Sequence, residues 1–178
     1  TLTGVISGPG DLSMSRFTSW NGGAVQAVDI ILAGTGSNTY TGKTVVDGQG
    51  AVASLRLQKT GGAVAIPTNS QVWLGSTTGG EFNLKMGDVT TTGAGRNAWD
   101  NQFGAGVVIV GKNTAGNWGR FDLQGTNQTV AGLDGGTAAA NFVVQNQSLT
   151  GFSPAQNATL TLNGTGTYAA YGYFRDQD

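Results

Sequence analysis

Residues Ile31 to Asp47 read ILAGTGSNTYTGKTVVD, and this stretch decides the fold. The apolar run Ile30-Ile31-Leu32 closes at Ala33-Gly34. A polar corner, Thr35-Gly36-Ser37-Asn38, follows, then Thr39-Tyr40-Thr41-Gly42 and a second extended run from Lys43 to Asp47. Thr and Val stand where strands favour them, and Gly and Asn where a corner needs positive φ. The pattern is strand, tight corner, strand.

The same grammar continues on both sides. Val52 to Leu57 sets apolar Val52, Leu55 and Leu57 against polar Ser54 and Arg56, and Glu81 to Met86 alternates through Phe82, Leu84 and Met86. Val107 to Val110 is continuously apolar, as in a strand of a parallel sheet buried on both faces. Further strands are expected at Val5-Ile6, Leu12 to Phe17, Ala24 to Leu32, Ala63 to Ile66, Gln71 to Leu74, Arg120 to Leu123, Gln128 to Leu133, Asn141 to Val144, Thr159 to Asn163 and Thr165 to Tyr173. Only Arg96 to Gly104 suits a helical turn or a bulging loop. About fourteen short strands with Gly and Asn between them make an all-β chain, which spacing alone leaves open between a sandwich and a β-helix.

The spelling L-x-G-x-x-N-T-Y-T-G-x-T-x-V, carried by Leu32, Gly34, Asn38, Thr39, Tyr40, Thr41, Gly42, Thr44 and Val46, resembles the signature of autotransporter-associated β-strand repeat proteins. These are bacterial surface and secreted proteins. DNQFGAGVVIV (Asp100 to Val110) with FDLQGTNQTVAGLDG (Phe121 to Gly135) is similar to their "LDLNGFNQTVAGL" segment, and ATLTLNGTGTY (Ala158 to Tyr168) to their "ATLTLNG" run. The resemblance implies a right-handed parallel β-helix, extracellular or on the bacterial cell surface. The whole chain, 1–178, then forms a single β-solenoid domain, one unit of a longer stack. The physics agrees, since one coil cannot bury its apolar side and stacked coils make a continuous core.

The totals narrow the function. A chain of 178 residues can bury a sizeable core. Charged residues are 11% and glycines number 31, which disfavours helices and favours short strands. The net charge of −1, with Lys and Arg scattered, argues against nucleic acid and against a polybasic membrane anchor. No signal peptide or membrane-spanning run is visible, so an exported form would be a mature or trimmed fragment that does not itself insert into a membrane.

Cysteine and histidine are both absent, which removes disulfides, thiolate metal sites, the usual zinc sites and Ser-His or Cys-His catalysis. The ten acids are isolated in sequence, most beside Gly or at strand ends, where Asp serves corners. Calcium loops of the G-G-x-G-x-D kind find only single acids, at Asp47 and Asp134. The expectation is a protein that is not an enzyme and carries no metal or cofactor. Of the four tryptophans, Trp73 is expected in the core. Trp20, Trp99 and Trp118 are candidates for stacking on sugar rings, which defines an alternative reading as an adhesin segment that binds glycan or surfaces. A polysaccharide-degrading β-helix, a third class, needs Asp clustered with Lys or Arg in a groove. The sequons at Asn127, Asn146, Asn157 and Asn163 are assigned no role.

The two ends look alike. TLTGVISGPGD (Thr1 to Asp11) resembles the family's "TFSGVISDG" strand, and TYAAYGYFRDQD (Thr167 to Asp178) occupies the place where that strand belongs. A β-helix cut there leaves an unpaired strand edge at each end, which is a template for another copy. The expected partner is therefore the chain itself, stacked head to tail in a contact that does not close. Thr3, Val5 and Ile6 would form one side of it, and Tyr168, Tyr171, Tyr173 and Phe174 the other. The alternative is a segment of a longer solenoid whose neighbours supply the caps.

Overall fold

A computed structural model of the chain describes residues 1–15, 28–47, 52–75, 80–88, 90–91, 93–112, 118–135, 141–147 and 157–177. The described residues are mostly β, with 50% strand and 5% helix. The strands β1 (Leu12–Ser15), β2 (Val28–Gly34), β3 (Thr44–Asp47), β4 (Val52–Lys59), β5 (Gln71–Leu74) and β6 (Glu81–Met86) come first. A 3₁₀ segment, Gly93–Trp99, follows. Then come β7 (Val108–Gly111), β8 (Trp118–Asp122), β9 (Gln128–Val130), β10 (Gly132–Gly135), β11 (Asn141–Gln147), β12 (Leu160–Leu162) and β13 (Gly172–Gln177).

From β1 to β8 successive strands alternate between two sheets, and β10, β11 and β13 extend the same two. One is ordered β1-β3-β5-β7-β10, the other β13-β11-β8-β6-β4-β2, and β12 pairs with β9 in a small third sheet. Every pairing between named strands is parallel. Isolated parallel bridges join Leu2 to Leu32, Ile66 to Phe103 and Gly135 to Ala170.

Register lines like residues up in columns. In the six-stranded sheet Ile30 pairs with Leu55, Leu55 with Leu84, Leu84 with Phe121, Phe121 with Val144 and Val144 with Phe174. Leu55, Leu84 and Phe121 are fully buried in the main core, and each such side chain contributes about 1.5–3 kcal/mol. The column two residues on, Leu32, Leu57 and Met86, is buried with it. Met14, Val46, Val72, Leu74, Ile109 and Leu133 face them from the five-stranded sheet. The apolar period of two therefore points one face of each sheet into a shared core.

Polar side chains join the layers at the corners. Asn38 is buried, accepts from the Ile6 N–H at 3.0 Å and donates to the Ala65 carbonyl at 2.8 Å. Gln102 accepts from the Lys59 N–H at 2.9 Å and donates to the Lys59 carbonyl at 3.0 Å. Gln128 accepts from the Gln102 N–H at 2.9 Å and donates to the Trp99 carbonyl at 2.8 Å. The Tyr40 hydroxyl is hydrogen-bonded to Thr44 Oγ1, and burial pushes its pKa up to about 12. Glycine is required where layers touch. Gly34 has φ of +90°, and a Cβ there would run into the Thr3 carbonyl. A Cβ on Gly42 would meet Asp11 and the Gly10 carbonyl. Arg96 clasps the 3₁₀ segment to the sheet by donating to the carbonyls of Met86, Asp88, Thr91 and Gln124.

Several expectations need correction. Val5-Ile6 is not in a named strand: Ile6 instead docks on Asn38 and the Thr39 N–H. Ala63 to Ile66 contributes a single bridge, because the turn at Gly61 and Gly62, both at positive φ, takes up the approach. Gln128 to Leu133 is two strands in different sheets, with the bend at Ala131. The last strand falls at Gly172–Gln177, not Thr165 to Tyr173, since Val144 takes Phe174 as its register partner. Trp73 lies outside the main core, half-buried against a small outer cluster of Val108, Val110 and Ala131. Val72 and Leu74 point inward, so Trp73 between them points out, with Lys43 and Lys112 Nζ 3.9 and 4.6 Å from its ring.

Asn38→Ala strands one buried and one part-buried backbone partner, so the unfolding free energy should fall by about 1–3 kcal/mol. Urea denaturation checks this, and a loss under about 0.5 kcal/mol would mean that the Asn38 bridge is not structural.

Candidate functional site

The exposed large apolar side chains among the described residues gather at two places: Leu2 and Val5, and Leu162, Tyr168, Tyr171, Tyr173 and Phe174. The first group lies at the β2 edge of the six-stranded sheet and the second at or near its β13 edge. Those edges are five strand spacings apart, about 24 Å. One chain cannot bring its own two groups together.

At the β2 edge, Leu2 donates its N–H to the Ile31 carbonyl at 2.7 Å and accepts from the Ala33 N–H at 2.8 Å. Thr3 is exposed, with its carbonyl over Gly34. Val5 is 54% exposed and lies against Gly36. Ile6 is half-buried and packs on the main core. At the other edge the Tyr168 ring covers Gly132, and the Tyr171 N–H donates to the Gly135 carbonyl at 3.2 Å. The Tyr173 ring meets Trp118 edge-on at 6.2 Å. Phe174 is 69% exposed although its column is otherwise apolar and inward-facing. Beside it opens a cleft of about 510 Å³ bounded by apolar Leu123, Val144, Ala158, Leu160 and Phe174 and by polar Gln145, Asn146, Asn157, Arg175 and Asp176. Leu2 and Leu162 were missed in the sequence. For Leu162 the signal was its spacing of two from Leu160.

The sugar-stacking candidates separate. Trp20 lies outside the described residues. Trp99 is 8% exposed, packed against Gly87 and beneath Arg96, so its ring faces are not open to a sugar. Trp118 is half-buried between Tyr173 and Arg120. The structure does not bring Trp99 and Trp118 into one open row.

Charged groups do meet on the outer face of the six-stranded sheet, which isolated acids in the sequence did not announce. Arg56 pairs with Asp29 at 2.7 Å and Arg120 with Glu81 at 2.8 Å. Register puts Arg56, Lys85, Asp122 and Gln145 in one column. Asp122 is fully buried and accepts from the Gln147 N–H at 3.0 Å and from Gln145 and Gln124 Nε2 at 3.3 Å each. Burial pushes its carboxyl above the usual carboxylate range, and these hydrogen bonds only partly oppose that. Burial, and then the charge of Arg56, push Lys85 down. No group of three or more metal-ligating side chains occurs among the described residues. Glutamines, not an open groove, surround the buried acid.

Comparison with protein-family models, with curated proteins and with solved structures finds no match to the chain. No helix among the described residues is long and apolar enough to cross a membrane.

A carboxyl with a raised folded pKa holds its proton more readily than in the unfolded chain. Its contribution is therefore most favourable in acid and is lost as pH rises through the folded value. Relative to Asp122→Asn, the native chain should lose thermal stability from about pH 4 towards neutrality. Melting temperatures across that range check it, and a difference that grows in the opposite direction would show that the hydrogen bonds outweigh burial.

Proposed function

We propose that the chain is a right-handed parallel β-helix that serves as a structural subunit outside the cell and joins head to tail with further copies into a filament of a surface layer or matrix. Alternation of successive strands from β1 to β8 between two parallel sheets supports the coil, because each return to a sheet lands one strand further along. Parallel crossovers within a sheet are overwhelmingly right-handed, which supports the hand. Kinship with the autotransporter-associated repeat proteins rests on the motif itself, whose Asn38 and Gly42 contact neighbouring layers and whose Tyr40 braces its own corner through Thr44. The extracellular setting rests on that kinship.

One observation carries the assembly: among the described residues, the exposed large apolar side chains sit at or near the β2 and β13 edges and not between them. Monomeric proteins seldom leave such patches uncovered, and natural solenoids cap them. The adhesin reading has less support, since Trp99 is buried. Enzyme chemistry has less still, since the acid at the centre of the charged face is enclosed by glutamines.

Purified chain at micromolar concentration should form filaments of uniform width in electron micrographs with no partner added. Phe174→Glu should raise the concentration needed by at least about tenfold, because a charge would enter an apolar contact. Its melting temperature should stay within a few degrees, since the side chain is 69% exposed. Dispersed particles from the native chain at all concentrations would refute the assembly.

A further inference from the structure

We infer that β13 of one copy completes the first layer of the next by pairing with the outer edge of its β2, Phe174 in register with Ile30. The inference rests on the head-to-tail reading and gives that contact a register.

The β2 edge is half covered. Leu2 bonds the Ile31 carbonyl and the Ala33 N–H, so Ile31 and Ala33 turn their backbone groups outward. By the two-residue period Asp29 does the same. Among the described residues no strand covers β2 from Val28 to Ile30, and β2 ends its sheet; the Leu2–Leu32 bridge sets Thr1 opposite Ile31. The Asp29 carbonyl and the Ile31 N–H are therefore the groups that a further strand would meet.

The β13 edge carries the complement. The Leu123 N–H donates to the Gln145 carbonyl at 2.8 Å, so Gln145 faces β8 and its neighbour Val144 faces β13. Val144 then bonds the backbone of Tyr173 and Arg175, and Phe174 turns its own N–H and C=O outward. Docked on β2, Phe174 donates to the Asp29 carbonyl and accepts from the Ile31 N–H. It does so in the column that already holds Ile30, Leu55, Leu84, Phe121 and Val144. The exposed ring becomes one more core residue, over Ile30, and the half-buried Ile6 and Leu12 of the next copy close the cleft beside it.

The match also fixes where one chain gives way to the other. By register, Asp176 falls in the column of Leu32, which Leu2 occupies. The donated strand thus fills Gly172 to Phe174, and Thr1 and Leu2 of the acceptor continue the layer. Arg175, Asp176 and Gln177 leave their places opposite Gln145, Asn146 and Gln147 when the contact forms.

Register is readable by cross-linking because the chain has no cysteine. In one chain Asp29 and Tyr173 stand on edge strands of the same sheet about 24 Å apart, out of reach of a disulfide. Across the proposed contact they are directly opposite. Asp29→Cys with Tyr173→Cys, oxidised under assembly conditions, should give a ladder of covalent oligomers on non-reducing gels. Ile31→Cys with Tyr173→Cys, two residues out of register, should give at least about fivefold less, since its sulfurs lie beyond disulfide distance. Circular dichroism melts confirm that both variants fold, and the native chain run in parallel reports assembly by light scattering. Assembly of the native chain with no 29–173 ladder, or with equal linking by the shifted pair, overturns the strand hand-off and leaves the filament standing. No assembly by the native chain and no ladder overturns both.

Discussion

The parallel ladder is the constraint on which everything else depends. Strands of three to eight residues cannot hold themselves extended. Each is fixed by hydrogen bonds to the equivalent strand on either side and by apolar side chains in the same column. Because register is conserved from β2 to β13, Ile30, Leu55, Leu84, Phe121, Val144 and Phe174 stand over one another. A slip of one residue would turn the whole column out to solvent. The two-sided dependence has no natural end. Among the described residues no strand lies on the outer edge of β13, and Phe174 is exposed there.

Corners bear the rest of the load. A bend takes backbone groups out of the ladder, and buried polar groups must be paired. Asn38, Gln102 and Gln128 meet this need from the next layer, so the bends are cross-linked as well as the strands. The arrangement tolerates insertion. The span between β6 and β8 is wide enough for the 3₁₀ segment, yet Leu84 still meets Phe121, and Arg96 ties the inserted turn to carbonyls it would otherwise leave open.

Much of this was legible in the sequence. The period of two in Glu81 to Met86 and the apolar run at Val107 to Val110 became strands at those positions, and Asn38 and Gly42 became corners in contact with neighbouring layers. Of the candidate end residues, Val5, Tyr168, Tyr171, Tyr173 and Phe174 are exposed, while Ile6 is half-buried on the core. What could not be read depends on distant neighbours. Trp73 looked like core because it is large and lies between Val72 and Leu74, yet period two sends it outward to Lys43 and Lys112. Nothing local marks the bend at Ala131, which only the change of sheet reveals. Asp122 has no acid near it in sequence, and its burial follows from Gln145 and Gln147 one strand away.

The proposal that the ladder runs unbroken from copy to copy is tested most directly by the axial rise of the assembled filament, measured by helical reconstruction from cryo-electron micrographs. Six strands in the larger sheet, with β13 serving as the shared layer, make each copy add six strand spacings. The predicted rise is about 29 Å. A rise of about 34 Å, seven spacings, would place the next copy on top of β13 rather than beside its own Leu2. That value, or a rise that is no multiple of the strand spacing, would contradict the account.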